Sequence, residues 1–172
     1  MKLDDDDFTL FGFPRQHALD RAALDTRWRA LQAEVHPDRF AAQGAAAQRL
    51  AMQWAVRVNE AYTRLRDPLR RGAYLCELAG VDVGAERNTA MPPDFLLEQM
   101  AWREALEDAR DATSVKALDR EVVQRERALL ERLGREIDEV LDARLAAATV
   151  RALMFVGRFR EDINRRLEVL DA

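Results

Sequence analysis

Residues 33–44 read AEVHPDRFAAQG. A histidine, a proline and an aspartate stand side by side between two stretches with the spacing of amphipathic helix. Upstream, Leu24, Trp28, Leu31 and Val35 recur at intervals of 4, 3 and 4. They form one stripe of a helix that starts near Asp20, a residue type suited to the N-cap. Downstream, Ala47, Leu50, Trp54, Val58, Ala61 and Leu65 recur at 3, 4, 4, 3 and 4, which predicts a second helix over about 45–66. Two such stripes pack against each other as an antiparallel helical hairpin. Pro37 ends the first helix, because its ring disfavours helical backbone at His36 and pushes that residue toward an extended conformation. The sequence therefore predicts His36, Pro37 and Asp38 at the hairpin tip, in a stiff and exposed loop. A tip of this kind presents a contact rather than burying it. Asp38 offers an acceptor-only carboxylate suited to an arginine on a partner, and His36 a ring and a donor. The purely structural alternative makes Pro37 a helix stop and Asp38 a turn residue or cap.

The rest of the chain reads as helix too. Pro68 suits the first turn of a short third helix carrying Leu69, Tyr74, Leu75 and Leu78, and the opening FTLFGFP (8–14) supplies apolar residues to close that small core. All five prolines lie at or before position 93, and residues 94–172 hold only two glycines, Gly134 and Gly157. The segment AGVDVGAERNTAMPP (79–93) is poor in periodic apolar residues and reads as a linker. Expected, then, are a module at 1–78, a linker at 79–93 and a second module at 94–172. In the second module a helix starts at Asp94 behind two prolines, with Phe95, Trp102, Leu106 and Ala109 as its core stripe. Thr113 or Ser114 is expected to cap the next helix, whose stripe is Val115, Leu118, Val122, Leu129, Leu133, Ile137 and Val140. A last helix from about Asp142 carries Val150, Leu153, Val156, Ile163, Leu167 and Leu170. Three helices on short connections make a bundle. The fold class is all-α: a helical hairpin module followed by a three-helix bundle.

Composition narrows the function. The 172 residues are 48% hydrophobic and 34% charged, as expected for a folded, helix-rich protein. The single cysteine, Cys76, excludes an internal disulfide and any multi-cysteine metal or cluster site made by this chain alone, and reads as a small core residue. Trp28 and Trp54 read as core anchors. No apolar run approaches membrane-spanning length, and the acidic start MKLDDDDFTLFG is the reverse of a targeting peptide, so a cytoplasmic location is expected. Charge is uneven. Residues 15–71 hold eleven Arg against six Asp or Glu, a net +5, whereas 94–172 hold fourteen Lys or Arg against eighteen Asp or Glu, a net −4. A basic front and an acidic back suggest two modules with different partners. An enzyme is disfavoured: only His17 joins His36 as a histidine, no glycine-rich phosphate loop or metal-ligand cluster appears, and two loop residues split by a proline are poorly placed to orient each other. Overall acidity and the lack of base-stacking motifs argue against nucleic acid as a partner. No catalytic residue, cofactor or metal ligand is expected.

The HPD tripeptide between two amphipathic helices, preceded by a basic helix and followed by RF and an alanine-rich turn, resembles the J-domain of DnaJ-type co-chaperones. FTLFGFP, HPDRF, VNEAYTRLRDPLRRGAYL and DFLLEQMAWREALEDA extend the likeness over the whole chain to the HscB family of iron–sulfur cluster co-chaperones, whose J-domain precedes a three-helix bundle. The absence of a paired-cysteine N-terminal extension points to the bacterial type. The family more often has Lys where Arg39 stands, which keeps the charge but changes its geometry.

The resemblance implies a co-chaperone that stimulates ATP hydrolysis by a DnaK-type, HscA-like chaperone and delivers an IscU-like iron–sulfur cluster scaffold protein to it. It assigns chaperone contact to His36, Pro37, Asp38 and Arg39, with Arg21, Arg27 and Arg29 facing an acidic chaperone surface. It assigns scaffold contact to Leu96, Leu97, Met100, Glu104 and Asp108 on the first bundle helix and to Phe155 on the last; Ala101 stands where the family often has an acidic residue. The residues themselves add that Leu96, Leu97 and Met100 lie off the core stripe, and that Phe155 leaves the stripe of its own helix. A gathered patch of exposed apolar side chains suggests a protein interface. The structural alternative is that a bundle helix between two neighbours needs a wide apolar face. A J-domain co-chaperone serving a different client is the runner-up reading.

Overall fold

The computed structural model describes residues 2–85 and 87–170, and among these all regular structure is helical. The helices are α1 (Asp7–Phe11), α2 (Arg21–Val35), a 3₁₀ helix (Pro37–Gln43), α3 (Ala45–Arg66), α4 (Pro68–Leu78), α5 (Pro93–Asp108), α6 (Ala112–Asp138) and α7 (Ala143–Leu170). The all-α class is observed, and the six expected helices appear in the expected order, with α1 and the 3₁₀ helix in addition. The chain divides into two compact units, Met1–Tyr74 and Leu75–Ala172.

In the first unit α2 and α3 form the expected hairpin. Asp20 caps α2, its carboxylate accepting the backbone N–H of Ala22 and Ala23. Leu24, Leu31 and Val35 from α2 and Val58, Ala61 and Leu65 from α3 are buried between the two helices and α1. Phe8, Leu10 and Phe11 of α1 close the end of that core. Two features correct the expected stripes. Leu50 is exposed while its neighbour Ala51 is buried, so at its start α3 turns a small residue inward. Trp28 and Trp54 are half-buried rather than core anchors. Trp28 instead stacks on Tyr62 at 4.7 Å and donates its indole N–H to Asn59 Oδ1 at 3.0 Å, bracing α2 to α3 at the surface. Indoles commonly keep their polar edge at a hydrogen-bonding rim in this way. Asp7 is fully buried, its two carboxylate oxygens paired with Arg57 (2.7 Å) and Arg64 (2.9 Å) from α3. A buried carboxylate needs such partners, since desolvation of an unpaired one costs several kcal/mol.

The division between units falls at Tyr74 and Leu75, earlier than the expected module end at 78, and the 79–93 segment belongs to the second unit. Val83 is buried, and Arg151 of α7, itself buried, donates from Nε to the Ala90 carbonyl (2.6 Å) and from Nη1 to the Val83 carbonyl (2.9 Å). These two carbonyls are thus held by a side chain more than sixty residues further along the chain, a contact that the local pattern of the segment does not reveal.

In the second unit α6 and α7 pack as a long hairpin with α5 laid alongside. Val115, Leu118, Val122, Leu129 and Leu133 of α6 and Val150, Leu153, Val156 and Ile163 of α7 are buried. Val140, expected in the α6 stripe, is exposed because α6 ends at Asp138. The α6 cap is Asp111, accepting the Ser114 N–H at 2.7 Å, not Thr113 or Ser114; a residue already inside the first turn has no cap to make. α7 begins at Ala143, beside the break expected at about Asp142, and the Asp142 carboxylate accepts from the N–H groups of Arg144 and Leu145.

Candidate functional site

Two exposed surfaces collect the residues singled out by the sequence, one on each unit. The first is the hairpin tip. His36 ends α2 with φ −61° and ψ 127°, the extended backbone that Pro37 demands. Pro37 then occupies the first turn of the 3₁₀ helix, so the tip is a helical turn, not an irregular loop. His36 caps that turn: its Nδ1 accepts the backbone N–H of Asp38 at 3.3 Å, and its carbonyl accepts the Arg39 N–H at 3.0 Å. Arg39 folds back to donate to the Ala33 carbonyl at 3.0 Å. Across Pro37 the two residues are joined by that backbone-to-ring hydrogen bond, a link that residues split by a proline were not expected to make easily. Asp38 Oδ2 lies 3.6 Å from His36 Nδ1, beyond hydrogen-bond distance, and the Asp38 side chain is 90% exposed. That carboxylate has no arginine partner among the described residues.

The arginines of α2 divide between flanks. At about 100° per residue, Arg21 and Arg29 lie about 80° apart, and Arg27 lies about 160° from Arg29. Arg21 pairs with Asp25 at 2.8 Å, holding that carboxylate below its usual range together with the Tyr62 hydroxyl. Arg27 reaches Glu34 at 4.0 Å, and Arg29 touches Asp25 only through its field. Arg66, not foreseen as part of this surface, joins Arg21 over the Tyr62 ring, at 5.7 Å and 5.9 Å. Its signal in the sequence was an arginine in the last turn of α3.

The second surface is the outer side of α5. Phe95 and Trp102 are buried, as the stripe required, and Leu96, Leu97, Met100, Glu104 and Asp108 are exposed on the opposite side. Leu97 is 74% and Met100 67% exposed, unusually open for large apolar side chains. At its N-terminal end the helix is fixed to α6. Asp94 Oδ2 takes 2.7 Å from Arg125, whose Nε binds Glu98 at 2.7 Å, and Arg132 reaches Asp94 Oδ1 at 3.3 Å. Burial alone would raise the Asp94 pKa; these two arginines outweigh it and hold the carboxyl below its ordinary value. The patch is therefore exposed on a helix whose other side is held in the core by Phe95 and Trp102.

Phe155 departs from expectation. It is buried, only 7% exposed, edge-on to Phe95 (5.7 Å) and stacked on Phe159 (5.9 Å), which in turn stacks on Trp102 at 5.8 Å. The reason is geometric: α7 packs against both α5 and α6, so its apolar face is wide and takes in a residue off the main stripe. Arg103 lies with its guanidinium carbon 5.1 Å above the Phe155 ring.

Residues 91–164 match the family of the HSCB C-terminal oligomerisation domain. The chain is 53% identical over 174 residues to the co-chaperone protein HscB homolog of Burkholderia multivorans, with 99% of both chains covered. Among solved structures it is similar to chaperone HscB from Vibrio cholerae, at 34% identity and a TM-score of 0.78 over 96% of this chain and 99% of that one. It is also similar to the human co-chaperone protein HscB, at 26% identity and a TM-score of 0.86 over 96% and 84%. With a turn that presents an exposed carboxylate, an open apolar helix face and identity at this level over the full length, the chain belongs to the HscB family of co-chaperones.

Proposed function

We propose that this chain stimulates ATP hydrolysis by a DnaK-type, HscA-like chaperone through a J-domain in its first unit. We propose further that it delivers an IscU-like iron–sulfur cluster scaffold protein to that chaperone, in the cytoplasm, during iron–sulfur protein maturation. His36, Pro37, Asp38 and Arg39 are the activating residues, and Arg21, Arg27 and Arg29 steer the approach to an acidic chaperone surface. Such steering is electrostatic and weakens as salt rises. Leu96, Leu97, Met100, Glu104 and Asp108, with Phe155 behind them, receive the scaffold. The chain acts on its partners by contact and turns over no substrate itself.

One observation carries this reading: the Asp38 carboxylate stands 90% exposed and without an arginine, on a turn held by Pro37 and capped by His36. An arginine on a partner would complete a charge-assisted pair there without any rearrangement of the tip. The test is steady-state ATP hydrolysis by the cognate chaperone with wild-type chain and with Asp38→Asn. Stimulation by the wild type and none by the variant supports the proposal. Equal stimulation by both, or none by either, overturns it.

A further inference from the structure

Beside the buried ring of Phe155 a groove opens between α5 and α7, lined by Arg103, Leu106, Glu107, Arg158, Phe159 and Asp162. It continues past Leu106 to Arg165, Arg166 and Val169. Its floor is apolar: Phe155 and Phe159 are stacked there, with Leu106 half-buried beside them. Its walls differ along its length. At the far end the charges are already engaged, Asp162 with Arg165 and Arg166 with the Ala109 carbonyl. At the Phe155 end Arg103 and Arg158 are exposed, and neither has an ion-pair partner among the described residues. Glu107, likewise without an ion pair, lies one turn further along α5 toward the engaged end.

The outer side of α5 has the opposite character, with Glu104 and Asp108 exposed beside Leu97 and Met100. At about 100° per residue Leu97 lies between Glu104 and Asp108, and Arg103 lies about 60° from Met100 on the side of the aromatic floor, with Glu107 between them, so the apolar patch has charged neighbours of both signs on one helix. Complementary charge on a partner fixes its orientation and suppresses wrong ones, even where it adds little to affinity.

We infer that this groove receives a segment of the scaffold protein that carries a carboxylate beside an apolar side chain. The apolar group rests on Phe155 and Phe159, and the carboxylate pairs with Arg103 and Arg158. The inference rests on the reading of α5 as the scaffold-binding face. It adds two specificity-determining arginines that the apolar patch does not include. Arginine suits the role because its planar fork takes a carboxylate in two hydrogen bonds and also lies flat on an aromatic ring.

The experiment is calorimetric titration of the full chain with the cognate IscU-like scaffold, at low and at physiological salt. The variants are Arg103→Glu, Arg158→Glu, their combination, and Arg120→Glu, an exposed arginine on α6, as control. Leu97→Ala with Met100→Ala tests the underlying reading. The double charge reversal is expected to weaken binding about tenfold or more and to flatten its salt dependence, with Arg120→Glu unchanged. Arg103 and Arg158 are exposed, so thermal midpoints of these variants should stay at the wild-type value. If the apolar double variant loses binding while the charge reversals bind like wild type, the groove is not used and the inference fails alone. If the apolar double variant binds like wild type, or the wild type does not bind, the reading of α5 fails and takes the inference with it.

Discussion

Asp38 donates its backbone N–H to Nδ1 of His36 across Pro37, at 3.3 Å. The two residues that flank the proline are thus one device: the ring holds the turn, and the turn holds the carboxylate out into solvent. Three consecutive residues achieve what separated ones could not, because Pro37 supplies both the extended backbone before it and the first turn after it.

This relationship separates the structural from the recognition role of His36. Asn is a good capping residue, so His36→Asn should keep the 3₁₀ turn and change stability by no more than about 0.5 kcal/mol. His36→Ala should cost about 1 kcal/mol. Thermal unfolding measures both. If the ring is itself a contact, both variants lose chaperone stimulation alike; if it only caps the turn, His36→Asn retains it.

Leu97 and Phe155 should answer mutation in opposite ways. Leu97→Ala removes an exposed side chain and should leave stability within about 0.5 kcal/mol. If Leu97 anchors a partner, its loss weakens scaffold binding by at least about 1 kcal/mol, some fivefold. Phe155→Ala empties the contact between Phe95 and Phe159 and should destabilise the second unit by about 3–5 kcal/mol. Phe155→Leu keeps most of the volume and gives a folded variant for binding measurements.

Acid should weaken the first unit through Asp6. This carboxylate caps α1, accepting from the N–H groups of Phe8 and Thr9, and binds Arg15 at 2.8 Å. Burial works to raise its pKa, but the Arg15 and Thr9 hydrogen bonds prevail and lower it from 3.8 to about 2. A depressed carboxyl stabilises the fold above its unfolded pKa, and that contribution is lost as pH falls from about 4 through about 2. Asp6→Ala should therefore be less stable than wild type at neutral pH, by about 1 kcal/mol, with the gap closing over that acid range. Denaturant titrations at pH 7, 4 and 2 check this; a gap that stays constant would contradict the assignment.

Cys76 should be inert in the native protein. It is 1% exposed, and burial pushes its thiol up to about 11, against the pull of the nearby Arg151 charge. Alkylating reagents at pH 8 need thiolate and access, and find neither. The rate of modification should rise by orders of magnitude in denaturant, and fast labelling of the folded chain would show that the start of the second unit opens locally.

Apart from α1 and the 3₁₀ turn, the sequence by itself determined the helices, their order and the place of the hairpin tip. Those features are local: a 3.6-residue apolar rhythm marks each helix, and Pro37 acts on its immediate neighbours whatever the fold. It placed Leu97 and Met100 off the Phe95 and Trp102 stripe, but left a wide buried apolar face as the alternative reading. What it could not fix depends on atoms distant along the chain. Phe155 is buried because α5 and α6 both lie against α7, and position on a helical wheel does not reveal how many neighbours a helix has. Val83 and Ala90 lie in a stretch that reads as a tether, because the Arg151 guanidinium reaches their carbonyls only once the bundle exists. The groove with Arg103 above Phe155 is likewise a tertiary product: its two walls come from helices about fifty residues apart, and only their packing brings a free charge over an aromatic floor.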